Sequence, residues 1–243
     1  MSYGPDDLPD VLADLRAIQI HQDMESLSLS RKIHRGNYEE LMDEHRRYND
    51  FSSDDWLEVD VMDLLKNDYL RLLHNYSSSS WTLINHSQRI IDKHGDDGFS
   101  QQYSAELKER RLHNTGQFFK QIRHYTQKRK MPPVEALHSF TTDGVEFNLF
   151  LRRDMMMDWA GWNKPAREYL NKLGDRVPIE SELVRYQSDI ESFHDWFSRY
   201  TKLYFREEYD KALETIQKLD REKPDTAVYD PKYVHPFDAD DFR

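Results

Sequence analysis

The 243-residue chain has no cysteine, only eight glycines and no apolar run approaching a membrane span. Without thiols, disulfide frameworks, thiolate zinc sites and cysteine nucleophiles are excluded, and a reducing compartment is permitted. So few glycines leave little material for phosphate-cradling loops, and no P-loop, G-x-S-x-G elbow or H-E-x-x-H pair occurs. A membrane helix needs about 20 apolar residues. The first ten residues, MSYGPDDLPD, are acidic where a signal peptide is positive. A cytoplasmic protein without a membrane partner is therefore expected.

What the chain does have is charge and aromatics. It carries a formal net charge of -11 and 14 Tyr, 12 Phe and 5 Trp, so the core should lean on rings rather than aliphatic layers. Hydrophobic periodicity divides it. Residues 1–37 hold many acids and little amphipathic pattern, and are expected to form a loosely ordered N-terminal arm. From 38 to 220 the 3.6-residue period predicts one helical domain, with long antiparallel helices over 55–94, 100–130 and 178–219. The run Ser77–Ser80 either kinks the first of these or lets a neighbour approach closely. Gly95 suits a left-handed cap. Pro132 and Pro133 should end the second helix, since the residue before a proline is pushed out of the helical region.

Near 134–152 the period changes to 2: Val145, Phe147, Leu149 and Leu151 alternate with polar residues. Asp143-Gly144 then supplies the two-residue turn of a β-hairpin. A short helix follows over 165–173, and 221–243 lacks periodicity and is expected to be a disordered acidic tail. The expected class is all-α, or mainly α with one small hairpin, built as a helical bundle.

One stretch departs from the overall acidity. Between Lys108 and Lys130 there are eight Lys or Arg against Glu109 alone. Phe118, Phe119, Ile122 and Tyr125 fall on the core side of the predicted helix, while Lys120, Arg123, Gln127 and Lys130 share another side, flanked by His113 and His124. Such a face holds phosphates by charge and by Arg hydrogen bonds, or else is a solvated face balanced by the acidic ends. Glu-x-x-His occurs at Glu135/His138 and Glu191/His194, but a helical di-iron site needs both copies on helices with two further Glu. No metal or other cofactor is expected. In DMMMDWAGW, residues 154–162, Trp159 and Trp162 either fill a core gap or present a partner-binding surface.

The string Phe-Phe-Lys-Gln-Ile-Arg-His-Tyr, 118–125, running on to the prolines at 132 and 133, resembles a pattern of helical proteins related to the HEPN group. Some of these are ribonucleases or nucleotide-binding partners in toxin and phage-defence systems. The resemblance implies a helix in which Arg123, followed by the polar His124, meets a scissile RNA phosphate. The family's essential His falls on Lys128, a poor general base at neutral pH. RNA or DNA binding without catalysis through Lys120, Arg123, His124, Lys128 and Lys130 is thus one expectation, with no catalytic residue assigned. The other is a protein–protein interaction subunit, hetero-associated or homodimeric, docking through Trp159 and Trp162.

Overall fold

A computed structural model describes residues 16–50, 65–141 and 144–222. The chain is mainly helical, with one small antiparallel sheet. In order, the described elements are α1 (Arg16–Asn49), one π-helical turn (Leu65–Tyr69), α2 (Leu70–His94), α3 (Asp97–Glu109), α4 (Leu112–Lys128), β1 (Val134–Thr141), β2 (Gly144–Arg152), α5 (Arg153–Met156), α6 (Lys164–Lys172), β3 (Arg176–Pro178), α7 (Ile179–Tyr204) and α8 (Arg206–Glu222). None of these helices is long and apolar enough to cross a membrane.

The expected N-terminal arm is corrected. Residues 16–37 lie within α1, where Ala17, Ile20, Leu27, Ser30 and His34 are buried. This inward side mixes apolar with polar residues, so it leaves no clean amphipathic stripe. The predicted helix 100–130 is two helices. Arg111 between them has φ 59°, alone in the left-handed region among the described non-glycine residues, and it turns the chain there. The predicted helix 178–219 likewise breaks at Phe205. The predicted helix 55–94 is described only from residue 65; 55–64, like 1–15 and 223–243, lie outside the described residues.

At Gly95 the requirement is space rather than a left-handed backbone. A Cβ there would sit 2.8 Å from both the Ile91 carbonyl oxygen and Phe99 Cδ1. Asp96 Oδ1 then accepts the Phe99 N–H at 2.9 Å, starting α3 with an N-cap. The Ser run stays helical, with Ser77, Ser79 and Ser80 buried.

The sheet order is β1-β2-β3, both pairings antiparallel. Phe147, Leu149 and Leu151 are buried in alternation, as the period-2 pattern predicts. The register pairs Thr141 with Gly144, so Gly144 is the first residue of β2, and Asp143 of the predicted Asp143-Gly144 turn lies outside the described residues. The third strand, pairing Val177 with Leu151, has too few residues for a sequence pattern.

The chain forms two compact units. One contains 16–28, 86–103 and 194–222. Its centre is Phe99, stacked on Tyr200 at 5.3 Å between centroids and met by Tyr204 and Phe205 at 4.7 and 5.4 Å. The other contains 29–50, 65–85, 104–141 and 144–193. Its core is a ring column: His34 stacks on Tyr76 at 4.6 Å, Tyr76 meets Phe119 edge-on at 5.4 Å, and Phe119 stacks on Tyr186 at 4.5 Å. Ser80 Oγ bonds the Tyr186 hydroxyl at 2.6 Å. Small serines are what let these rings close over α2.

Candidate anion-binding site

Helix α4 buries Leu112, Thr115, Gly116, Phe118, Phe119, Gln121, Ile122 and Tyr125. These positions follow the helical period, so the intervening Lys120, Arg123, His124 and Lys128 are left on its outer side. Gly116 makes the approach close: a Cβ there would be 3.4 Å from Ile84 Cδ1 and 3.7 Å from the Tyr186 hydroxyl.

The outer side is electrostatically uniform. Lys120 Nζ lies 3.7 Å from the centroid of the Trp81 ring, a cation–π contact that anchors the ammonium without neutralising it. Burial, and then Arg123, push the Lys120 pKa down. Burial also lowers His124, with Lys120, Lys128 and Arg123 each adding repulsion. On α2, burial and Arg123 lower His74, whose Nδ1 is buried without a hydrogen-bond partner. Among the described residues, none of Lys120, Arg123, Lys128 and Lys130 takes part in an ion pair. Arg129 differs, being turned to Asp158 Oδ2 at 2.9 Å.

The structure therefore brings together four of the five predicted residues, Lys120, Arg123, His124 and Lys128. Lys130 lies exposed past the helix end and is not among the charges acting on His124. Trp81 and His74 were missed by sequence reasoning because nothing in the α2 periodicity singles them out. No group of three or more His, Asp or Glu among the described residues is arranged to hold a metal ion.

Trp162 needs a correction as a docking residue. It is 5% exposed, stacks on Tyr125 at 5.9 Å and donates its indole N–H to the Met156 carbonyl at 2.8 Å. Trp159 is half-buried and meets Tyr125 edge-on at 5.3 Å. The pair fills the gap beside α4 because Tyr125 offers both a ring face and an edge.

Comparison with protein families, with curated proteins and with solved structures gives no match for this chain. The site combines fixed positive charge with two imidazoles whose pKa values burial and that charge both lower, and among the described residues none of its cations is paired with a carboxylate. A phosphate entering here would offset the mutual repulsion of Lys120, Arg123 and Lys128.

Proposed function

We propose that the outer side of α4 binds the phosphates of RNA or DNA without cleaving them. The observation that carries this reading is the unneutralised cluster of Lys120, Arg123, His124 and Lys128 in a chain of net charge -11. Phosphates draw such cationic side chains by charge, by Arg hydrogen bonds and by release of the counterions condensed on the nucleic acid. The resemblance of residues 118–133 to the HEPN pattern supports a nucleic-acid ligand, and Lys128 in place of the family's His supports binding over cleavage. Interaction through Trp159 and Trp162 has no comparable support, since Trp162 is inside.

The test is titration of labelled single-stranded RNA and DNA with the parent and with K120Q/R123Q/K128Q. Gln is nearly as good a helix former as Lys or Arg, so circular dichroism should be unchanged. Affinity at about 50 mM salt should fall at least tenfold in the variant. Equal affinity of variant and parent, or no binding by the parent, overturns the proposal.

A further inference from the structure

A cleft of about 1220 Å³ opens beside the start of α4, lined from α3, α4, α6 and α7. Five of its lining residues are Lys or Arg, namely Lys108, Arg110, Arg111, Lys172 and Arg185, against the acids Glu109 and Asp189. That balance reverses the one in the whole chain, where Asp and Glu exceed Lys and Arg by 45 to 34. Leu107, Leu173 and the ring of Tyr169 add apolar wall.

The cations fall into two sets. Two are braced by the protein: Arg110 bonds Glu106 Oε2 at 3.1 Å and Ser192 Oγ at 2.5 Å, and Arg185 contacts both Glu182 and the Tyr169 hydroxyl. Their guanidinium groups are held in place before any ligand arrives. Lys108, Arg111 and Lys172 have no side-chain partner of this kind among the described residues. Arg111 is also the residue with φ 59°, a conformation that glycine or asparagine adopts more easily. An arginine there places a guanidinium at the cleft where backbone geometry alone favours a smaller residue. Burial raises the pKa of the Asp189 carboxyl, while Arg185, Arg110 and Arg111 each favour its charged form, so it competes with an incoming anion for these guanidinium groups.

We propose that this cleft is a second anion site, separate from the outer side of α4, for a small molecule of the pyrophosphate class: two adjacent phosphate groups on an organic body. Braced Arg110 and Arg185 would receive the anion in a fixed geometry, Lys108, Arg111 and Lys172 would close on it, and Leu107, Leu173 and Tyr169 would meet the organic part. The cleft is open to solvent, and its volume of about 1220 Å³ lies above the roughly 300–1,000 Å³ of ordinary binding pockets, leaving room for the organic body beside the two phosphates.

The experiment is calorimetric titration of the full chain with inorganic pyrophosphate, with orthophosphate in parallel. A saturable site is expected, at least tenfold tighter for pyrophosphate than for orthophosphate. Arg111→Gly keeps the left-handed turn and removes the charge, so it should weaken pyrophosphate at least tenfold while leaving the melting temperature at or above the parent's. Lys172→Gln, at an exposed position of α6, should weaken it too and serves if the first variant does not fold. Asp189→Asn removes the competing carboxylate and should tighten binding severalfold. K120Q/R123Q/K128Q should leave pyrophosphate affinity unchanged, so this site and the nucleic-acid face stand or fall separately. Absence of saturable binding below about 1 mM, affinity indifferent to both Arg111→Gly and Lys172→Gln, or loss of binding in the triple variant overturns the proposal.

Discussion

His34 is fully buried, with Nδ1 3.3 Å from Ser79 Oγ and its ring stacked on Tyr76. Burial pulls its pKa down to about 4, outweighing nearby Glu191, which favours the charged form. In the unfolded chain the imidazole titrates near 6.5, so as pH falls the unfolded state takes the proton first. The stability contributed by neutral His34 is complete above about pH 6.5 and is lost progressively down to about pH 4, on the order of 3 kcal/mol in all. Urea unfolding at pH 7.5 and 4.5 should show this loss, and His34→Gln should show a smaller one. An equal acid loss in both proteins would mean that other groups carry it. Gly161 makes a different demand at the same scale. A Cβ there would fall inside the Trp159 indole. Gly161→Ala must therefore displace Trp159 from Tyr125, at a cost of about 1–3 kcal/mol, read as a lower urea midpoint together with altered tryptophan fluorescence.

At the scale of elements, α1 shows what periodicity misses. Ile20 is 0% exposed in a stretch where the sequence predicts a loose arm, so Ile20→Ala should cost about 2–5 kcal/mol. A thermal or urea midpoint equal to the parent's would restore the arm. Helix α7 is the opposite case: Leu183, Tyr186, Ile190, Phe193 and Phe197 keep helical spacing and all are buried. The Ser run of α2 resolves toward close approach. Ser80→Ala should leave the buried Tyr186 hydroxyl without this partner and cost about 1–3 kcal/mol, measurable by chemical denaturation. The hairpin was legible for the same reason as α7, because Phe147, Leu149 and Leu151 display their period openly. The turn at Arg111 was not, because arginine is an ordinary helix former and nothing local announces a left-handed residue.

For the whole molecule the governing quantity is the contrast between a net charge of -11 and a local cationic cluster. The overall charge repels nucleic acid, so the proposed binding would rest on short-range phosphate contacts and should weaken steeply with salt. With Lys120, Arg123 and Lys128 each neutralising one phosphate, the logarithm of affinity for single strands should fall with a slope of about -2 against the logarithm of salt. In K120Q/R123Q/K128Q the dependence should be nearly flat. Lowering the pH should tighten binding, since protonation of His124, disfavoured now by burial and the neighbouring cations, becomes favourable beside phosphate. A parent whose affinity ignores both salt and pH would not be using these residues.

The sequence by itself determined the mainly helical class with one hairpin, the inward rings of α4 and α7, and the gathering of positive charge on one side of α4. Each of these is a local property, written in residue spacing and in the type of residue at each position. Tertiary structure alone decided the burial of Ser30, His34 and His45 in α1, the seat of Lys120 on Trp81, the turn at Arg111 and the joining of Lys108, Arg111, Lys172 and Arg185 around one cleft. The physical reason is shared. A polar residue is buried, or a charge made part of a site, only when partners far along the chain supply the hydrogen bonds, ring faces or like charges around it, and no local pattern encodes which distant residues those are.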